Sequence, residues 1–196
     1  MAFTLPFDFE ILEFIQTNLR NAFCDVIFPA VTHLGDGGAF WIALSLILFI
    51  IPKTRKIGLC SGLALLINLV IVNFGLKPII ARTRPYDMIE EYAAHGLNLL
   101  TKIQTDFSFP SGHTSSSFAS ATALFAHNKK AGAAALMLAV VIAFSRLYVA
   151  VHFPSDVFAA VIIGVICGIL AYIIMKAIIK KFSENKEESE IPETLE

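Results

Sequence analysis

Charge is what this chain has least of. Asp, Glu, Lys and Arg make up 16% of its 196 residues, against 56% apolar residues, whereas a soluble domain carries about 25% charge. That scarcity argues against a water-exposed globule and leads to the expectation of a membrane protein. Fifteen Lys and Arg stand against sixteen Asp and Glu. With no basic stripe, no nucleic-acid partner is expected. Cysteine is also sparse. Cys24, Cys60 and Cys167 are scattered, two of them within apolar runs, which is neither a disulfide framework nor a metal-ligand spacing. No basic region precedes an apolar core at the N-terminus, so a cleaved leader is not expected.

Long apolar runs are what the chain does have. A spanning helix needs about 20 apolar residues, with about 17 as the lower end. Segments 37–51, 57–76, 111–126, 131–150 and 155–179 reach or approach that length. The first and third are short, and the polar stretch 82–109 cannot cross a bilayer. In residues 1–34, Ile11, Ile15, Leu19 and Phe23 recur every fourth position. That pattern predicts an amphipathic helix lying in the interface, with an extra span as the alternative. Asp8, Glu10, Glu13, Arg20 and Asp25 would all be costly in hydrocarbon. The expected fold is an all-α, multi-pass transmembrane helical bundle of five to six spans over residues 35–182. The acidic residues 183–196 are expected to form a disordered cytoplasmic tail.

Basic residues collect on the cytoplasmic side of membrane proteins. Lys53, Arg55 and Lys56 join the first two runs, Lys129 and Lys130 join the third and fourth, and Lys176, Lys180 and Lys181 close the fifth. The alternate ends should then face outward. Those ends carry cations of their own, which breaks the charge rule and points to a function for them.

Three motifs occupy these outer ends. In the first, Lys77 and Arg84 precede Pro85. Seven residues make nearly two helical turns, so both could share a face about 10 Å apart along one helix that ends at Pro85. Arg84 could grip phosphate oxygens with its planar fork. Taken alone, such a pair is better described as cations snorkelling to headgroups. Arg82 shares that ambiguity and is left outside the site. The second motif is Pro110-Ser111-Gly112-His113. Ser111 suits an N-cap, Gly112 allows close approach, and a helix N-terminus attracts anions. His113 could give a proton to a leaving oxygen. A plain capped helix is the alternative. The third motif sets Arg146 ahead of His152 and Asp156. If a helix starts near Pro154, Asp156 can reach one ring nitrogen of His152 and leave the other free to attack. A histidine–aspartate cap is the alternative. His33, His95 and His127 lack such company and are expected to be structural or solvated, and Trp41 is expected to be an interfacial anchor.

Together the motifs K-x6-RP, PSGH and SR-x5-H-x3-D, spanning residues 77–156, resemble the signature of the type 2 phosphatidic acid phosphatase superfamily. The resemblance implies an all-α core and a metal-independent phosphatase without cofactor. It implies that His152 is the nucleophile, forming a phosphohistidine, with Asp156 orienting it and His113 as general acid. Lys77, Arg84, Ser111, Gly112 and Arg146 would hold the phosphate. The expected substrate is a lipid phosphate monoester or diphosphate, such as undecaprenyl diphosphate, phosphatidylglycerophosphate or phosphatidic acid, met at the outer face of the cell membrane. One rival is a phosphotransferase that passes the phosphate to a lipid or sugar acceptor. Another is a lipid-binding or transport protein without catalysis. The sequence leaves the lipid tail and the oligomeric state open.

Overall fold

The computed structural model describes residues 4–189, and every regular element among them is helical. Helix α1 (Pro6–Asn18) opens with a proline in its first turn, and the Asp8 carboxylate accepts the Leu5 amide at 2.9 Å. Helix α2 (Cys24–Thr32) passes through the tight segment His33–Gly38 into α3 (Ala39–Ile50). Gly37 and Gly38 take positive φ there, at 58° and 69°, which glycine tolerates without a steric penalty. Helix α4 (Arg55–Asn68) continues through a π-helical stretch, Leu69–Leu76, into the short α5 (Lys77–Ile80). Pro78 lies just beyond that stretch. Its ring cannot coexist with a regular carbonyl four residues back, and widening the helix is one way to accommodate it. Helix α6 (Ile89–Ala94) sits in the polar connection. Helices α7 (Gly112–His127), α8 (Lys129–Tyr148) and α9 (Pro154–Ser189) complete the chain.

Among the described residues, four stretches are long and apolar enough to cross a membrane: Cys24–Ile50, Arg55–Asp87, Lys129–Tyr148 and Pro154–Asn185. The fold is an all-α helical bundle of membrane type. The first span reaches further back than residue 37, because α2 and α3 together form it. Only α1 then remains of the interfacial segment expected over residues 1–34. At 13 residues it is about 20 Å long, short of the roughly 30 Å hydrocarbon core.

Helix α7 is the hub. It packs on α9, α8 and α4, so protein covers it where lipid would cover an outer helix. Its 16 residues are accordingly rich in Ser and Ala, and Ser115, Ser117, Ala119, Ser120, Ala121 and Ala123 are buried. Small residues let helices approach closely, and hydroxyls bond across them. Ser61 meets Ser45 and Ser120 at 2.7 Å each. Gly164 of α9 touches α7 so closely that an added Cβ would lie 2.4 Å from the Ser115 carbonyl oxygen. Trp41 is fully buried in this core and donates its indole N–H to Ser117 Oγ at 2.8 Å. It is a core residue, contrary to the interfacial anchor expected from its aromatic character.

Of the Ile11–Ile15–Leu19–Phe23 stripe expected to meet the bilayer, only Ile15 is buried against the protein. Asp8, Phe9, Leu12, Ile15 and Gln16 point inward, while Ile11, Leu19 and Phe23 are exposed. Phe9 and Leu12 pack with Leu97 and Phe153, and Gln16 bonds the carbonyls of Asn98 and Tyr148. The helix therefore turns a mixed face to the protein, and outward it presents Phe7, Ile11 and Phe14 beside Glu10 and Glu13. At the other end, α9 extends to Ser189, into the stretch expected to be a disordered tail. Residues 190–196 of that tail lie outside the described residues.

Candidate active site

All three motifs lie at one end of the bundle, but Lys77 and Arg84 are brought together differently from the expected single helix. The helix stops at Ile80, and Ala81 adopts the left-handed conformation with φ 47°, a cap usually reserved for glycine. Residues 82–84 are then non-helical. Lys77 and Arg84 converge because the chain turns, and both grip Asp106 of the polar connection. Lys77 bonds Asp106 Oδ2, and Arg84 Nη2 donates to Oδ1 at 2.6 Å while its Nε donates to the Asp106 carbonyl at 2.9 Å. Burial alone would raise the pKa of Asp106, but its bonds and charge contacts with Lys77 and Arg84 lower it below the ordinary carboxylate value. A carboxylate shared by two buried cations marks the place as suited to an anion.

Arg84 also defines the state of His152. Its Nη1 donates to the Val151 carbonyl at 2.8 Å and lies 3.3 Å from His152 Nε2. A guanidinium has no lone pair to offer, so Nε2 must accept, and the ring proton belongs on Nδ1. That nitrogen faces Ser108 Oγ at 3.4 Å and Asp156 Oδ2 at 3.5 Å. Ser108 in turn donates to Asp156 Oδ2 at 2.5 Å, and the Phe153 amide donates to the same oxygen at 2.9 Å. The expected direct His152–Asp156 bond is thus long, and Ser108 fills the gap between the two. Burial, reinforced by the charges of Arg84, Arg146 and Lys77 and by His113, holds the His152 pKa well below its ordinary value. The imidazole is neutral at neutral pH, with its lone pair on the side of the cations.

Ser111 occupies the N-cap position of α7 as expected but makes no side-chain cap bond. Its hydroxyl accepts from Thr114 Oγ1 at 3.1 Å, and its amide donates to the Asp156 carbonyl at 3.3 Å. Gly112 faces Lys77, and a Cβ there would lie 3.7 Å from Nζ. His113, in the first turn, pairs through Nε2 with Asp36 at 2.8 Å, and Asp36 also bonds His33 Nδ1 at 2.8 Å. The His113 ring packs so tightly on Gly35 that a Cβ there would sit 2.4 Å from its Cδ2, which explains a glycine ahead of the turn. Arg146 is 1% exposed. Its Nη1 donates to Thr32 Oγ1 at 2.5 Å, while Nε and Nη2 have no protein partner.

A cavity of about 650 Å³ leads away from Lys77, Asp106, Gly112 and His113 between α3 and α4. Ile42, Leu46, Leu66 and Leu69 line it and are themselves exposed on the bundle surface, so it opens sideways as well as at the end. Arg82, set aside from the site on sequence grounds, is fully buried and pairs with Asp8 and Asp156. Of the remaining histidines, His33 and His95 pair with Asp36 and Glu13, and His127 sits edge-on to Tyr172. Among the described residues, no group of three or more His, Cys, Asp and Glu is placed to hold a metal ion.

Comparison with known proteins places this geometry in context. Residues 56–180 match the family model described as the PAP2 superfamily. Undecaprenyl-diphosphatase BcrC of Bacillus subtilis is 29% identical over 153 residues, covering 78% of this chain and 76% of that protein. An undecaprenyl-diphosphatase of Sulfolobus acidocaldarius is 33% identical over 125 residues, 63% of this chain and 58% of that protein. The crystal structure of LpxE from Aquifex aeolicus superposes with a TM-score of 0.73 at 32% identity, covering 87% of this chain and 98% of that one.

Proposed function

The chain belongs to the PAP2 superfamily, and on that premise we propose that it is a membrane lipid phosphatase that works through a phosphohistidine on His152. The observation that carries this reading is Arg146. A buried guanidinium with two unmet donor groups is costly to leave unsatisfied, and a phosphate supplies the missing acceptors in the geometry the fork prefers. Lys77, Arg84, the Ser111–Gly112 backbone and Arg146 then bind the phosphate oxygens and stabilise the charge that develops on them. His152 Nε2 attacks phosphorus as the bond to the leaving oxygen breaks, and His113 gives that oxygen a proton. Asp156 and Ser108 stabilise the positive ring that forms. Water, activated by His113, then cleaves the N–P bond and releases phosphate. Three side-chain cations surround the phosphate, so the reaction as proposed needs no metal.

The substrate is a lipid because the cavity joins Lys77 and His113 to an apolar, laterally open wall. A headgroup can reach Lys77 and His113 while its tail lies along Ile42, Leu46, Leu66 and Leu69. A prenyl diphosphate, the class in the names of both curated relatives, fits that division. Purified protein should release phosphate from a prenyl diphosphate with chelator present, and faster than from a panel of glycerolipid phosphates. Phosphate appearing on an added lipid or sugar acceptor in place of water would favour the transferase alternative. Release that stops with chelator would overturn metal independence.

The proposed site faces the outer side of the cell membrane, because the basic loops at Lys53–Lys56 and Lys129–Lys130 lie at the opposite end of the helices. With the native cysteines replaced, single cysteines at Lys53 and Lys129, both exposed, should resist an impermeant thiol reagent applied to intact cells. One at exposed Ala94 should label. The reverse pattern would put the site inside.

A further inference from the structure

Arg82 lies between two carboxylates, and all three side chains are fully buried. Its Nη1 bonds Asp156 Oδ1 and donates to Ser155 Oγ at 2.8 Å, and its Nη2 donates to Asp8 Oδ2 at 2.6 Å. Asp8 comes from α1, 74 residues away in the chain. It also accepts the Ser155 amide at 3.1 Å and the Ser155 hydroxyl at 2.8 Å, which ties α1 to the first turn of α9. The guanidinium carbon stacks 4.2 Å from the centre of the Phe153 ring, and Phe153 belongs to the apolar cluster that seats α1. Asp156 is therefore held on both oxygens, Oδ1 by Arg82 and Oδ2 by Ser108 and the Phe153 amide, with His152 beyond.

We propose that Arg82 and Asp8 are positioning residues for phosphoryl transfer: Arg82 fixes the Asp156 carboxylate, and Asp8 fixes Arg82 and offsets its charge. This rests on the reading of His152 as nucleophile. The electrostatics explain why both are needed. An arginine paired with Asp156 alone would neutralise the carboxylate just where the imidazole gains positive charge. Shared between two carboxylates, the same arginine leaves one net negative charge facing His152, at a place where low dielectric magnifies it. Helix α1 is thus part of the working site through Asp8, whose bonds go to Leu5, Arg82 and Ser155.

The test is a mutant cycle on the full-length protein in detergent, read with an activated aryl phosphate. Asp8→Asn keeps the shape of the side chain and removes its charge. We expect kcat to fall about 30- to 100-fold, with KM and the inhibition constant of inorganic phosphate within about twofold, because an interaction confined to the transition state lowers kcat alone. Vanadate should still bind once per chain, which separates slow enzyme from unfolded enzyme. Arg82→Lys should retain more activity than Arg82→Gln. The deciding arm is Asp8→Asn in an Asp156→Asn background, where it should cost almost nothing further, since residues acting through one another are not additive. An equal fractional loss in both backgrounds, an unchanged kcat, or lost vanadate binding would overturn the proposal. If the unmodified protein cleaves neither aryl nor lipid phosphates, the phosphatase reading itself falls, and this inference with it.

Discussion

His152→Ala should abolish turnover and leave no trappable phosphoenzyme. The expected loss is at least about four orders of magnitude, because no other group can take the covalent role and what survives is phosphate binding by the cations. The geometry makes the expectation specific. Nε2 lies 3.3 Å from Arg84 Nη1, beside the cations that would hold phosphorus in reach, while Nδ1 is turned towards Ser108 and Asp156. Removing the ring leaves Lys77, Arg84 and Arg146 in place, so inorganic phosphate and vanadate should still bind. Rapid acid-free quenching of the unmodified protein with labelled substrate should yield one labelled histidine, and peptide mapping should place it at 152. A label at His113, or His152→Ala retaining a tenth of the activity, would reverse the assignment.

His113→Ala should produce a different defect, one that depends on the leaving group. A lipid alkoxide is a poor leaving group and needs its proton in the transition state. A nitrophenolate needs almost none. The variant should lose about two to four orders of magnitude with a lipid substrate, the usual range for a general acid, yet form the phosphoenzyme from nitrophenyl phosphate at nearly normal speed. The same residue activates the water in the second half, so the intermediate should accumulate and be easier to trap than in the parent. Asp36 bonds the ring at 2.8 Å from the turn between α2 and α3, and holds it in place against Gly35. A uniform loss across both substrates, with no accumulation, would show that His113 only shapes the site.

The three motifs were legible because each carries its meaning within a few residues. His152 and Asp156 are four apart, and Pro154 starts the helix that carries Asp156, as its chemistry predicts. The missed groups act across the chain. Arg82 reaches Asp8 over 74 residues, His113 reaches Asp36 over 77, and Ser108 reaches Asp156 over 48. No spacing rule connects such pairs. Arg82 stays ambiguous in the sequence between a phosphate grip and a headgroup anchor, because its partners Asp8 and Asp156 each lie 74 residues away. Helix α1 shows the same limit: apolar spacing says nothing of Asp8 and Gln16, which bind it to the protein over long separations. The expectation that Lys77 and Arg84 share one helix failed at Ala81, a residue that gives no sequence signal for a left-handed turn.

The sideways opening between α3 and α4 has a consequence for how the protein would be assayed. A substrate that slides in along Ile42 and Leu46 never has to be extracted into water, a transfer that costs about 0.8 kcal/mol for every methylene exposed. The quantity that sets the rate is then the number of substrate molecules per unit area of bilayer. Diluting vesicles in buffer should leave the velocity per protein untouched, whereas diluting the substrate among inert lipids at constant bulk amount should slow it. Encounter becomes a two-dimensional search, and an apparent affinity quoted in moles per litre would describe the preparation more than the protein.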